Sequence, residues 1–223
     1  MMKASGPHKE KALEKFSRIT LYPVITSGFC AGRDPVFAAE SVLKGGAGIV
    51  QLREKHMTKK EIFFLAVKFR EITEKYGALL IINDHIDIAL AVKADGVHLG
   101  QDDIPVDAAA GAAPGLIKGV STHNLKQALE AQEKGADYIN IGPVYATNTK
   151  ETGIAPLGIE KMREISEKIK IPFTVMGGIK KKHLPELKKA GAVKTAMVTE
   201  ITEANDITGK VKELLESASA AGF

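Results

Sequence analysis

Cysteine is nearly missing from this chain: of 223 residues only Cys30 carries a thiol. An internal disulfide is excluded, and so is a zinc site built from thiolates. No base is suggested near Cys30, which reads as a buried or incidental thiol rather than a nucleophile. Tryptophan is absent and aromatics amount to 5%, too few for the stacking platforms that hold single-stranded nucleic acid. Apolar runs are short and stop at charged or glycine positions, so none would span a bilayer. The Lys-rich opening, 1–18, has no apolar segment of the secretory kind. Net charge is only +4 and is scattered, which suits a small anionic ligand better than DNA or RNA. These absences point to a cytoplasmic enzyme acting on small molecules, with neither nucleic acid nor membrane as partner, and they leave a homo-oligomer open.

What is present is an alternation. Hydrophobic residues are 44% and charged residues 26%, enough for a sizeable core. Short β-branched runs fall at 21–26, 48–52, 79–83, 96–99, 117–121, 138–141, 173–176 and 195–198. Helical periodicity lies between and after them, at 35–43, 59–76, 86–92, 106–110, 125–134, 158–168, 184–190 and 207–217. Runs apolar on both faces, joined by helices, predict a parallel sheet. Thr58 followed by Glu61 forms a capping box. Asp34-Pro35 and Asp206 mark helix starts; Gly45, Gly77, Gly135 and Gly191 mark stops. Eight such units predict a (β/α)8 TIM barrel in one domain, 1–223, with an N-terminal extension over 1–18 and the barrel over 19–217. The open doubly wound sheet shares this alternation, but no Gly-x-Gly-x-x-Gly turn follows the first strand. The extension is expected to pack beneath or beside the barrel.

In a barrel the chemistry gathers where strands end. The second strand ends in Gln51-Leu52-Arg53-Glu54-Lys55, and alternation sends Gln51, Arg53 and Lys55 to one side. The third ends in Asn83-Asp84, the fourth leads to Asp103, and the fifth ends in Ser121-Thr122-His123. Asp84 and Asp103 follow neighbouring strands and can share one metal ion. Carboxylate oxygens without thiolates favour Mg2+, which takes phosphate oxygens and water as further ligands; helix capping is the alternative for either residue. Arg53, Lys55 and Lys150 offer positive charge for a diphosphate, against the alternative of surface ion pairs with Glu54 or Glu151. Gly178, Val198 and Thr199 follow strands seven and eight, where barrels often bind phosphate through backbone N–H groups. A tight turn is the alternative for Gly177-Gly178. Two anion sites imply two phosphorylated substrates and a joining reaction.

The strings Gln51-Leu52-Arg53-Glu54-Lys55, Asn83-Asp84, Gly96-Val97-His98-Leu99-Gly100-Gln101-x-Asp103 and Gly142-Pro143-Val144-Tyr145-x-Thr147-x-Thr149-Lys150 resemble the thiamine phosphate synthase family. So do Gly177-Gly178-Ile179 and Met197-Val198-Thr199, and the likeness runs from about residue 21 to 215. It implies a transferase that joins hydroxymethylpyrimidine diphosphate to a thiazole phosphate, releasing diphosphate. By that resemblance Gln51, Leu52, Arg53, Glu54, Lys55 and Asn83 contact the pyrimidine diphosphate, and Asp84 and Asp103 ligate Mg2+. Ser121 and Lys150 complete that site, and with Arg53 they are the expected catalytic residues. Thr147, Asn148, Thr149, Gly178, Val198 and Thr199 hold the thiazole phosphate, and the loop over 146–155 is the candidate lid. Ala146, Lys194, Glu200 and His85 depart from the family pattern; Lys194 is expected to face solvent. A thiazole tautomerase-like isomerase using His123 would need neither the 51–55 string nor the paired aspartates. A non-catalytic phosphate-binding paralogue would have lost Asp84, Asp103 or Lys150.

Overall fold

The computed structural model describes residues 6–147, 149 and 155–223. Its elements run α1 (Pro7–Ser17), β1 (Leu21–Ile25), α2 (Pro35–Lys44), β2 (Ile49–Leu52), α3 (Lys59–Lys75), β3 (Leu79–Asn83), α4 (Ile86–Ala91) and β4 (Gly96–Leu99). They continue with α5 (Val106–Ala112), β5 (Ile117–Thr122), α6 (Leu125–Glu133), β6 (Tyr138–Ile141), α7 (Gly158–Lys168), β7 (Phe173–Val175), α8 (Leu184–Lys189), β8 (Thr195–Met197), α9 (Thr199–Thr202) and α10 (Ile207–Ala220). The strands close in order, β1 through β8 and back to β1, all parallel. This is the (β/α)8 barrel expected from the alternation. No helix among the described residues is long and apolar enough to cross a membrane.

Local chemistry accounts for the boundaries. Thr58 Oγ1 accepts from Glu61 N–H while the Glu61 carboxylate accepts from Thr58 N–H at 2.8 Å, which starts α3. Asp34, Asn124 and Asp206 cap α2, α6 and α10 through their side chains. The main departure from the sequence expectation is α9: Thr199 opens a short helix instead of ending the eighth strand.

Strand alternation divides the core into two layers. Val50, Leu52, Leu80, Ile82, Val97 and Leu99 face outward, into the layer shared with the helices. Tyr22, Val24, Ile49, Leu79, Ile81, Ile117 and Tyr138 fill the barrel interior, joined there by Ala12 and Phe16 of α1. The described part of the extension, α1, therefore lies beneath the barrel and plugs the end where the strands begin.

Polar ties hold this plug. Lys9 pairs with Asp137 at 2.7 Å, and His8 lies 3.4 Å from Asp95, which also pairs with Arg70 at 2.9 Å. Lys194 corrects one expectation. It is 5% exposed and donates to the carbonyls of Ser17 and Ile19 at 2.8 and 2.9 Å. A cation at the end of a helix satisfies carbonyls that have no partner within the helix, and this one clamps the end of α1 to the start of β8. Cys30 is buried, contacts the Thr26 carbonyl at 3.3 Å, and burial pushes its thiol up to about 11. A thiol held protonated in this way is no nucleophile.

Candidate active site

The opposite end of the barrel is open. A cavity there is lined by Arg53, Ser121, Thr147, Thr149, Gly178, Val198 and Thr199, so seven expected residues from three strand ends and two loops meet in one place. Asn148 and Lys150 lie outside the described residues, as does most of the 146–155 segment.

Arg53 stands just beyond β2 on the inward parity, its backbone N–H held by the Ile25 carbonyl at 2.9 Å. Burial lowers the affinity of its guanidinium for the proton, and the charges of Asp84 and Glu54 oppose that shift. It links the cavity to an acidic cluster over β3 and β4. There Lys55 forms an ion pair with Asp84, and Asp84 and Asp103 share a hydrogen bond. Burial, then Asp103, pushes the Asp84 carboxyl above the usual range against the pull of Lys55. Burial acts on Asp103 in the same direction, but hydrogen bonds from Asp84 and from the Gly100 N–H (2.6 Å) hold it below. The two carboxyls are thus pushed in opposite directions by one another, Asp84 up and Asp103 down. The Asp84 backbone adopts φ of 63°, in the left-handed region that Asp and Asn tolerate best among non-glycine residues.

Among the described residues, no group of three or more His, Cys, Asp and Glu side chains surrounds a common point. The pair Asp84 and Asp103 is an all-oxygen donor set in which one positive charge already compensates crowding between two acids. Such a pair suits a hard divalent ion that takes its remaining ligands from water and phosphate.

Two buried polar atoms at this end lack a partner among the described residues, Asn83 Nδ2 and Thr26 Oγ1. An unpartnered buried donor costs stability, and an acceptor on a ligand would satisfy the Asn83 amide.

Some expected contacts are not brought to the mouth. The Leu52 side chain points into the outer layer and is 1% exposed, because it sits on the opposite parity to Gln51 and Arg53. Glu54 accepts from Ser27 N–H and Oγ–H at 2.7 and 2.6 Å, tying the segment after β1 to the end of β2. By contrast, Gln51 shares the inward parity of Arg53 and faces the barrel interior, where its amide donates to the Tyr22 hydroxyl at 2.9 Å.

Other lining residues escaped the sequence reading. His123, given a role from the sequence only in the tautomerase-like alternative, lines the cavity itself, with Nδ1 2.5 Å from the Gly142 carbonyl. Asn140 lines it from β6 and accepts from Thr174 Oγ1 at 2.8 Å; a lone polar residue in Tyr138-Ile139-Asn140-Ile141 was the available signal. Lys180 and Glu200 also line it, as an ion pair at 3.2 Å. Gly178 has φ of 61°, and a Cβ there would lie 2.3 Å from the Ala146 carbonyl oxygen. Glycine is therefore demanded by the approach of the following loop as well as by any anion.

This geometry has a counterpart in known proteins. The family model described as thiamine monophosphate synthase matches residues 21–201. The thiamine-phosphate synthase of Shouchella clausii is 42% identical over 90% of this chain and 97% of its own length. That of Chloroflexus aurantiacus is 41% identical over 87% and 90%. The solved thiamine phosphate pyrophosphorylase from Pyrococcus furiosus superposes with a TM-score of 0.84 at 35% identity, over 92% of this chain and 98% of that one. With the match spanning all eight strands and both flanks of the open mouth, the chain belongs to the thiamine monophosphate synthase family.

Proposed function

We propose that this protein is a thiamine phosphate synthase, a transferase joining hydroxymethylpyrimidine diphosphate to thiazole phosphate with release of diphosphate. The observation that carries the reading is the continuity between a cavity lined by Arg53, threonine hydroxyls and Gly178 and an acidic pair, bridged by Arg53. The cavity suits the thiazole phosphate, with Thr147, Thr149, Gly178, Val198 and Thr199 around it and Asn148 in the same loop. The acidic side suits the pyrimidine diphosphate, with Arg53 and Lys55 as its cations and Gln51 and Asn83 as amide contacts. The outer-layer parity of Leu52 and the tie from Glu54 to Ser27 favour supporting roles for those two positions.

Asp84 and Asp103 would hold Mg2+, which when bound neutralises charge on the diphosphate oxygens. Arg53 binds the same leaving group and, with Lys150, stabilises the negative charge that grows as the carbon–oxygen bond breaks. The electron-rich aminopyrimidine delocalises the positive charge left on its methylene carbon. Ser121 orients that ring, and the thiazole nitrogen, held by its phosphate, then forms the new C–N bond. No protein nucleophile is needed. The residues around the cavity keep water from the cationic carbon.

Incubation with both substrates and Mg2+ should yield thiamine phosphate and diphosphate in equal amounts, and a chelator should stop the reaction. A folded protein that gives neither product at saturating substrate would overturn the assignment. The tautomerase-like alternative is tested in the same vessel, since it predicts isomerisation of a thiazole phosphate that survives the chelator and is lost in His123→Ala.

A further inference from the structure

A file of polar side chains crosses the barrel interior, where the surrounding residues are apolar. Gln51 Nε2 donates to the Tyr22 hydroxyl at 2.9 Å. The Tyr22 and Tyr138 hydroxyls are 2.9 Å apart, Tyr138 stands 2.9 Å from His98 Nδ1, and His98 Nε2 stands 2.9 Å from Ser121 Oγ. Both ends of this chain are residues assigned above to the pyrimidine side of the site; its middle is fully buried, with Tyr22 and Tyr138 each 1% exposed or less.

The hydrogen-bond inventory gives the chain a direction. A phenol has one hydrogen to donate. Tyr22 accepts from Gln51 and so donates to Tyr138, which in turn donates to His98 Nδ1. With Nδ1 accepting, the imidazole hydrogen sits on Nε2 and is donated to Ser121 Oγ. The Ser121 hydroxyl hydrogen is then left to point away from His98, and the remaining hydrogen-bonding atom of the Gln51 amide that accepts is its oxygen. Burial pushes both phenols above their ordinary range, so neither loses the hydrogen that the direction requires.

The packing keeps the chain in place. Phe16 of α1 lies 4.6 Å from the Tyr138 ring and 6.3 Å from the Tyr22 ring, centroid to centroid. Gly119, the neighbour of Tyr138 across β5 and β6, leaves room for its ring: a Cβ at 119 would lie 2.1 Å from Tyr138 Cζ. The plug helix, the tyrosine pair and a glycine thus fix a polar relay inside an apolar barrel.

We propose that Tyr22, Tyr138 and His98 are positioning residues, a one-way hydrogen-bond chain that presents Ser121 as a donor and the Gln51 amide oxygen as an acceptor to the aminopyrimidine edge of the substrate. A ring nitrogen needs a donor and an exocyclic amino group needs an acceptor, so the chain matches that edge and disfavours one with the two reversed. The substrate part of this proposal rests on the synthase reading; the direction of the chain does not.

Two measurements test it. Long-range proton–nitrogen NMR of the ligand-free protein should find His98 in its Nε2–H form; an Nδ1–H form would reverse the chain and overturn the proposal, whether or not the protein is a synthase. Tyr138→Phe keeps the ring and cuts the chain at its centre. It should lower kcat/KM for the pyrimidine diphosphate about tenfold, as expected for one lost buried hydrogen bond, while KM for thiazole phosphate stays within twofold. Tyr22→Phe, which cuts a different link, should have the same selectivity and serves if Tyr138→Phe does not fold. Unchanged kinetics for the pyrimidine diphosphate in a folded Phe variant, or equal losses for both substrates, would overturn the positioning role.

Discussion

The two ends of this barrel both carry acids and lysines, and they use them in opposite ways. Beneath the strands, Asp137 is shared by Lys9 at 2.7 Å and Lys118 at 3.6 Å, and Lys194 is spent on the carbonyls of Ser17 and Ile19. All of it is covered by α1, and each charge has a protein partner. At the mouth, Asp84 and Asp103 crowd together, Arg53 sits half-desolvated, and the Asn83 amide has no partner among the described residues. The lower end is electrostatically complete; the upper end is complete only with a ligand. Charges that close on one another hold a structure together, whereas charges held near one another without closing provide a binding site.

Substitutions at the two ends should therefore separate activity from stability. The largest effect is expected from Asp84→Asn, which tolerates the left-handed backbone but removes a carboxylate from the pair proposed to hold Mg2+. Turnover should fall on the order of a hundredfold or more, with Tm within a few degrees of the parent by thermal unfolding. Retained turnover in the folded variant would erase the distinction between the ends. Asp137→Ala should do the reverse, costing about 3–5 kcal/mol because two lysines are left buried without their carboxylate. Denaturant titration reads that loss, and kcat measured well below the new midpoint should be within about threefold of the parent.

The smallest effect sharpens the comparison through pH. Burial lowers Lys118 to about 8, with Lys9 adding to the shift and Asp137 opposing it, against 10.5 for an exposed lysine. Between these values the unfolded chain binds more protons than the folded one, so stability rises with pH across that window. Below pH 8 the folded state bears the whole cost of charging a buried amine. Lys118→Met should thus raise Tm at pH 7 by a few degrees and by less at pH 10. An equal change at both pH values would place the lysine's effect in packing instead of charge.

Much of the scaffold was legible because its signals are local. The Thr58–Glu61 box lies within four residues, and the β-branched runs at 79–83 and 138–141 need only their neighbours to read as buried strands. The mouth was legible too, since barrel geometry gathers strand ends whatever the sequence between them. The unforeseen parts depend on partners far along the chain. Lys194 reads as a solvent residue until Ser17 at the end of α1 and Ile19 just after it, some 175 positions earlier, supply two carbonyls. His98, set among Gly96, Val97 and Leu99, has its meaning only through Tyr138, 40 residues on, and Ser121. Leu52 was included with its neighbours in a contiguous string, although period-two alternation turns it to the opposite layer.

The amino-acid order alone determined the number of units, the parallel barrel, and the collection of cationic and acidic residues at one end, because periodicity, capping and strand polarity act over a few residues. Only the tertiary structure decided which charges close on each other, that α1 plugs the lower end, and that a line of hydrogen bonds runs from Gln51 to Ser121. Those outcomes depend on through-space distance and desolvation, and closing the barrel is what brings residues from remote parts of the chain within a few ångströms.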